Sequence, residues 1–150
     1  MRLVIQRVTK AEVIANGTRT GTIERGLLVL VGFEANDEEA DLIWAASKLV
    51  QMRIFSDQAG QMNLSIQDIQ GDILLVSQFT LYASTKKGNR PSFVAAARPE
   101  LAVPLYNSFI KRVELLLGKG VQKGVFGADM QVSLQNDGPV TILIDSKNKQ

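Results

Sequence analysis

Residues 73–81 read ILLVSQFTL, a strongly apolar segment that predicts a buried strand. Hydroxyl and amide side chains lie in its second half. Ser77, Gln78 and Thr80 are its members that could bind a substrate or carry a proton. The end of a strand that leads into a loop is a favourable place for a site. The structural alternative is that Ser and Thr satisfy nearby main-chain groups. Strand alternation places Ser77 and Phe79 on one face, and Gln78 and Thr80 on the other.

A second candidate is Gly138-Pro139, in the run NDGPVT between predicted strands at 130–135 and 140–144. Spacing alone favours an ordinary hairpin turn over residues 136–139. The alternative is a special main-chain geometry, since cis peptide bonds occur essentially only before proline. Glycine also lets the main chain approach a ligand closely.

Basic residues mark a predicted surface loop at 83–90, which carries Lys86, Lys87 and Arg90. These charges could contact phosphate groups, although a solvated surface is the simpler interpretation. The whole chain has 17 Lys and Arg against 15 Asp and Glu, a formal net charge of +2. That balance permits a nucleic-acid partner without requiring one.

The chain contains no Cys and no His. This composition excludes disulfides, thiolate nucleophiles and the Ser-His-Asp triad. It also removes the ligands that transition metals use most. We therefore expect no metal site and no cofactor. An enzyme built on this chain must use carboxylates, Lys, Tyr, hydroxyls, main-chain groups or atoms of its own substrate.

The length of 150 residues predicts a single domain spanning residues 1–150, large enough to bury its own core. Asn16-Gly17 predicts a type I′ hairpin between the first two strands. One helix is predicted to begin at an Asn36 cap, with its apolar side formed by Leu42, Ala46, Leu49 and Val50.

A second helix is predicted to start with Pro99 and end near Gly118, with its apolar side formed by Leu101, Leu105, Phe109, Val113 and Leu116. Residues 146–150 are expected to fray. Strands with two helices indicate an α/β protein whose mixed sheet is covered by helices on one side. No apolar run approaches about 18 residues and no signal peptide is visible, so we expect a cytoplasmic protein without membrane association.

From Met1 through Ile144 the sequence resembles the D-aminoacyl-tRNA deacylases, also called D-tyrosyl-tRNA(Tyr) deacylases. The segments that carry the resemblance are IQRVTKAEV, GLLVLVGF, RIFSD, MNLS, VSQFTL, RPSF and ADMQVSLQNDGPVT, in this order. SQFTL and NDGPVT together are specific, whereas either alone would be weak. The family consists of homodimeric trans-editing hydrolases that cleave the ester of D-aminoacyl-tRNA.

The resemblance implies a compact single-domain three-layer β/β/α fold, with mixed, mostly antiparallel sheets and two main helices. It also implies a homodimer whose sites lie across the subunit interface and bind the 3′ end of aminoacyl-tRNA. The catalytic positions carried over are Gln78 and Thr80, the substrate-binding positions are Ser77, Phe79 and Met130, and the positions for chiral selectivity are Gly138, Pro139 and Arg7.

The missing histidines agree with this family, because an aminoacyl ester is already activated. The ribose 2′-OH can assist its cleavage, and main-chain N–H groups can stabilise a developing oxyanion. Thr80 then serves as a binding hydroxyl; as a nucleophile it would need a base. The resemblance implies a main-chain wall at Gly138-Pro139 that rejects L-aminoacyl groups by steric clash but cannot reject glycine, so glycyl-tRNA(Ala) is an expected second substrate. The alternatives are a non-catalytic nucleic-acid-binding dimer and a structural dimerisation domain.

Overall fold

The first strand organises the main sheet because it pairs with three other strands. The structure, a computed structural model, describes residues 1–150. Its elements, in chain order, are β1 (Arg2–Ala15), β2 (Thr18–Ile23), β3 (Gly26–Gly32), α1 (Glu39–Gln51), β4 (Phe55–Ser56), β5 (Met62–Leu64), β6 (Asp72–Ser77), a 3₁₀ turn (Phe79–Tyr82), α2 (Pro99–Leu117), β7 (Gln122–Lys123) and β8 (Met130–Asp145).

The sheet is mixed and mostly antiparallel. The first half of β1 pairs with β3 and the second half with β2, while β8 runs antiparallel to both halves. β6 joins β3 in parallel, β7 joins β6 in parallel, and β4 and β5 form a separate small sheet. This topology places the end of β6 beside the end of β3.

Two separate cores show that the sheet is covered on both faces. In β3, Leu27 and Val29 point into the larger core, which the two helices share. Leu28 of β3 and Leu74 of β6 point the other way, into a second core with Val13 of β1. Successive side chains of β3 point to opposite faces of the sheet, so this one strand contributes to both cores. The predicted α/β fold of two sheet layers and one helix layer, with two helices, is confirmed.

The first helix begins later than predicted. α1 starts at Glu39, after Glu38, and a capping box joins Glu38 to Asp41. Asn36 does not cap the helix. The reason is that the neighbouring Asp37 is buried and accepts hydrogen bonds from the main chain of Glu34 and from the Met1 amino group, which keeps this segment in a turn. The predicted apolar residues of this helix are all buried.

The second helix has the predicted ends but a different buried face. Pro99 occupies the first turn, and Gly118 ends the helix in the left-handed conformation with φ of 80°. The buried residues are Ala102, Tyr106, Phe109, Ile110 and Val113. Leu101 and Leu116 are exposed by 40% and 39%. Each four-residue step from Leu101 advances about 40° around a helix of 3.6 residues per turn, so Leu101 lies away from the buried face, whereas Leu116 lies near the edge of that face in the last turn.

The residues after β8 are partly tied to the rest of the chain. The Ser146 N–H donates to the Met1 carbonyl at 3.0 Å, and Lys147 Nζ donates to the Asp41 carboxylate at 2.6 Å. The fraying predicted for 146–150 therefore does not extend to Ser146 and Lys147. Neither helix combines the length and the apolar composition that a bilayer crossing requires.

Candidate active site

β6 ends at Ser77, and the chain then winds into the 3₁₀ turn instead of continuing as a strand. The Gln78 N–H donates to the Val31 carbonyl at 2.7 Å, which is the last main-chain hydrogen bond to β3. The Leu81 N–H then donates back to the Gln78 carbonyl at 3.3 Å and closes the turn. The predicted alternation of side chains is therefore wrong beyond Gln78.

Gly32, at the end of β3, makes room for this turn. A Cβ at Gly32 would lie 2.9 Å from the Gln78 carbonyl oxygen and 3.1 Å from Leu81 Cβ. Any larger residue would push the turn away from the sheet. The close packing at Gly32 fixes where Gln78 and the residues after it lie.

Four predicted site residues line one cavity of about 570 Å³: Ser77, Gln78, Phe79 and Met130. Most of the remaining lining is apolar and comes from the ends of β3 and β6, from residues 93–102 and from residues 126–132. A volume of this order holds a small organic group. The cavity is thus mostly apolar, with hydroxyl and amide groups at one end.

Thr80 lies beside this cavity and is not part of its lining. Its Oγ1 accepts a hydrogen bond from Gln78 Nε2. A side-chain amide cannot take up a proton, so this partner does not activate the hydroxyl as a nucleophile.

The two tyrosines near the site do not supply a base either. Burial raises the pKa of both Tyr82 and Tyr106 above the usual range of a phenol. The Tyr106 hydroxyl donates to the Leu75 carbonyl at 3.2 Å. Both phenols are therefore neutral at physiological pH and act as structural groups.

Two aromatic side chains stand at the cavity rim. Phe79 is 57% exposed and Phe93 is 37% exposed, and their rings meet edge to face with centroids 5.2 Å apart. Sequence reasoning did not single out Phe93 as a site residue. A lone aromatic residue after a polar loop carries no chemical signature of its own, and only its position in the RPSF segment marked it.

Gly138 and Pro139 lie inside one continuous strand, so the predicted hairpin turn is wrong. Gln6 of β1 faces Thr141 and Val8 faces Asn136, which leaves residues 137–140 opposite Arg7 alone. The extra residues form a bulge that projects from the sheet. The Gly138-Pro139 peptide bond is cis, as the alternative interpretation of the sequence required.

Arg7 supports this bulge from below. It is only 8% exposed, its Nε donates to the Asp137 carbonyl at 3.0 Å, and its Nη1 donates to the Ile54 carbonyl at 2.6 Å. Gly138 and Pro139 themselves are exposed. Arg7 therefore holds the main chain of the residue that precedes Gly138.

Asn136 closes the bulge and is a residue that sequence reasoning missed. Its Oδ1 accepts the Val140 N–H at 2.7 Å. In the sequence, Asn136 looked like an ordinary turn residue, because Asn, Asp, Gly and Pro follow one another there.

The predicted site residues form two groups within one chain. Ser77, Gln78, Phe79 and Met130 line the cavity, whereas Arg7, Gly138 and Pro139 do not. One chain therefore presents a cavity and, separately, an exposed main-chain bulge.

Comparison with known proteins identifies the family. The family model described as D-Tyr-tRNA(Tyr) deacylase matches residues 4–145. This chain belongs to the D-aminoacyl-tRNA deacylase family. The match covers both SQFTL and NDGPVT, so the resemblance and the prediction of a hydrolase of this class are confirmed.

Relatives in this deacylase family match over the full chain. The D-aminoacyl-tRNA deacylases of Flavobacterium johnsoniae and Cytophaga hutchinsonii are 55% and 59% identical over 150 residues, covering 100% of both chains in each case.

Solved structures agree with the deacylase fold. A structure titled c-Myc DNA Unwinding Element Binding Protein is 40% identical, with a TM-score of 0.90 over 97% of this chain and 98% of its own. A probable eukaryotic D-amino acid tRNA deacylase is 21% identical, with a TM-score of 0.82 over 95% and 97%, and supports the fold alone.

Proposed function

We propose that this deacylase cleaves the ester of D-aminoacyl-tRNA in the cavity at the end of β6, releasing free amino acid and tRNA. The observation that carries the proposal is the cavity itself, in which Ser77, Gln78 and Phe79 stand at the end of a mostly apolar space. That space accepts an aminoacyl side chain of varied shape, and the polar end receives the ester.

Cleavage in this cavity uses main-chain donors. The N–H groups of Phe79 and Thr80 have no partner inside the 3₁₀ turn, since its first internal bond comes from the Leu81 N–H. They are suitable donors to the oxyanion that forms when the ester carbonyl is attacked. Thr80 and Gln78, joined by their hydrogen bond, then act together in positioning the ester.

The substrate itself, through its ribose 2′-OH, is proposed to carry out the proton transfers. The ribose 2′-OH is held next to the ester at high effective concentration, and this proximity favours its assistance. The Gln78 amide beside Thr80 supports this division of roles, because it cannot act as a base.

Chiral selection is proposed to come from a second copy of the chain. Gly138 and Pro139 do not line the cavity of their own chain, so they can meet a substrate only in a partner's cavity. In a two-fold homodimer with sites across the interface, the bulge of each chain enters the cavity of the other, which gives two equivalent sites. The exposed Gly138-Pro139 main chain then stands where an L side chain would point. Glycine has no side chain to clash, so mischarged glycyl-tRNA(Ala) is a proposed second substrate.

A binding role without catalysis is the second candidate, and one observation favours it. The structure with 40% identity carries a title that names binding to a DNA unwinding element. Under this alternative the cavity has no turnover and the chain binds nucleic acid. A purely structural dimerisation domain would do neither. We place the deacylase in the cytoplasm, together with its tRNA substrate.

Incubation with D-tyrosyl-tRNA and with L-tyrosyl-tRNA tests the proposal. We expect many D-tyrosine molecules released per protein and no acceleration of L-ester hydrolysis over the rate without protein. Stoichiometric binding without release would support the binding module instead. Equal hydrolysis of both esters would support deacylase activity but contradict the proposal that the Gly138-Pro139 main chain rejects L-aminoacyl groups.

A further inference from the structure

A basic loop, residues 84–92, stands at the rim of the cavity. Ser84 and Ser92 close it as an antiparallel bridge, since the N–H of each donates to the carbonyl of the other at 2.8 and 2.9 Å. The chain enters the loop from the 3₁₀ turn and leaves it at Phe93, which packs on Phe79. Both ends of the basic loop are therefore fixed to the cavity rim.

The segment that contains the basic loop, residues 73–99, differs in charge from the rest of the chain. Residues 73–99 contain four basic side chains and no acidic one. The whole chain has a net charge of only +2, so the remainder carries two more acidic than basic side chains. Positive charge is thus concentrated in a segment that supplies part of the cavity lining and its rim. The four basic residues are Lys86, Lys87, Arg90 and Arg98.

The cations of the basic loop are free for an external partner. Lys86, Lys87 and Arg90 are exposed and make no salt bridge, whereas Arg2, Arg112 and Lys147 elsewhere are paired with carboxylates. At the tip, Gly88 has φ of 72°, and a Cβ there would meet nothing within 4 Å. The loop therefore projects into open space with its charges uncompensated.

We infer that the basic loop binds phosphate groups of the single-stranded 3′ end of the tRNA. This inference rests on the proposed function, because an ester held in the cavity is joined to the terminal nucleotide. The next phosphates of the strand must leave the cavity across its rim, where Lys86, Lys87 and Arg90 stand. Contacts of Lys and Arg with phosphates supply affinity that does not depend on base sequence. The loop therefore determines how tightly the tRNA is held and leaves the choice of amino acid to the cavity.

The test compares two triple variants with the same change in charge. The loop variant is Lys86→Gln/Lys87→Gln/Arg90→Gln. The control variant is Lys10→Gln/Lys48→Gln/Lys111→Gln, whose three lysines are also exposed and unpaired but lie outside residues 73–99. Each protein is assayed with D-tyrosyl-tRNA and with the D-tyrosyl ester of adenosine, which has no phosphate.

For D-tyrosyl-tRNA, the loop variant is expected to raise KM about tenfold or more at about 0.1 M salt, with kcat changed by less than about twofold. The slope of log kcat/KM against log salt should become shallower by about 2, since each lost single-strand phosphate contact removes about 0.7. Hydrolysis of the adenosine ester should be the same for the loop variant, the control variant and the unmodified protein.

Several results would overturn the inference. Equal losses in the loop and control variants would mean that only net charge matters. A parallel loss on the adenosine ester would mean that the loop acts on the cavity. Weaker binding of single-stranded DNA with unchanged tRNA kinetics would assign the loop to DNA. Failure of the unmodified protein on both esters would reject the proposed function, and the inference with it.

Discussion

The Asn136 side chain bonds both main-chain polar groups of Val140: its Oδ1 accepts the Val140 N–H at 2.7 Å, and its Nδ2 donates to the Val140 carbonyl at 3.0 Å. This pair closes a ring around residues 137–139, and Arg7 separately donates to the Asp137 carbonyl. The exposed Gly138-Pro139 segment is thus held at both of its ends by side chains.

Replacing Asn136 by Ala is expected to loosen this ring and leave the Val140 main chain without its partners. We expect a loss of about 1–3 kcal/mol in the free energy of unfolding, the cost of unmade buried hydrogen bonds. The ratio of D- to L-tyrosyl-tRNA hydrolysis should fall as well. Asn107→Ala, at an exposed position of α2, is the control for both measurements. An unchanged ratio in a destabilised Asn136 variant would limit Asn136 to a structural role.

Gly138→Ala should damage chiral selection while the chain still folds. The new Cβ would lie 2.8 Å from Val140 Cγ2 and 3.2 Å from an Arg7 guanidinium nitrogen, at φ of 141°. The bulge must therefore shift. Gly60→Ala is the matched control, since Gly60 also has positive φ (78°) but open space around it. Kinetics with both tyrosyl esters measure the effect, and retained rejection of the L-ester by the Gly138 variant would contradict the main-chain wall.

Thr80→Ala is expected to retain measurable deacylation, because the hydroxyl pairs with an amide and has no base beside it. A substrate that ends in 2′-deoxyadenosine should bind but turn over at least about a hundredfold more slowly, if the 2′-OH supplies the assistance. Single-turnover rates with matched ribose and deoxyribose substrates measure this. An inactive Thr80 variant together with normal cleavage of the deoxy substrate would make Thr80 the nucleophile.

Mixing two damaged chains should restore one intact site per mixed dimer. Phe79→Ala damages the cavity, and Gly138→Ala damages the bulge. If each site combines one chain's cavity with its partner's bulge, the mixed dimer has one fully native site. Random exchange should then recover about a quarter of native selective activity, and mixed dimers isolated through both tags should recover about half. Two tagged variants, co-purified and assayed with D- and L-tyrosyl-tRNA, measure the recovery; no gain over the separate variants would place each site within a single chain.

Acid should weaken the contact between Lys147 and α1. Partial burial acts to raise the pKa of Asp41, but hydrogen bonds from Lys147 and from the Glu38 N–H outweigh it and lower the pKa to about 2. A carboxyl whose pKa is lower in the folded than in the unfolded chain stabilises the fold above about pH 4 and loses this effect as pH falls. The unfolding free energies of the native chain and Lys147→Gln should therefore differ at pH 6 and converge toward about pH 2. Urea titrations at several pH values test this, with Lys10→Gln as control.

Features set by neighbouring residues could be predicted from the sequence. Asn16 and Gly17 have positive φ values of 49° and 81°, as a type I′ turn requires. Pro99 and Gly118 mark the two ends of α2 because each has a conformational preference of its own.

Features set by distant pairing could not be predicted in this way. Residues 136–139 have the composition of a turn, yet β1 pairs with the strand on both sides of them and converts the turn into a bulge. β6 ends at Ser77, earlier than predicted, because Gly32 of β3 leaves room for the chain to turn there. The same limit explains Asn136, whose role depends on a bulge that the local sequence does not reveal.

β1 and β8 are the first and last strands of the described fold in chain order, yet they pair along nearly their whole lengths. A nascent chain that still holds residues 130–145 within the ribosome has no partner for that side of β1. Pairing across such a sequence separation is slow compared with local contacts. The bulge at Gly138-Pro139 therefore takes shape only after translation of β8, and chains released before that point lack both Met130 and the segment proposed to reject L-aminoacyl groups.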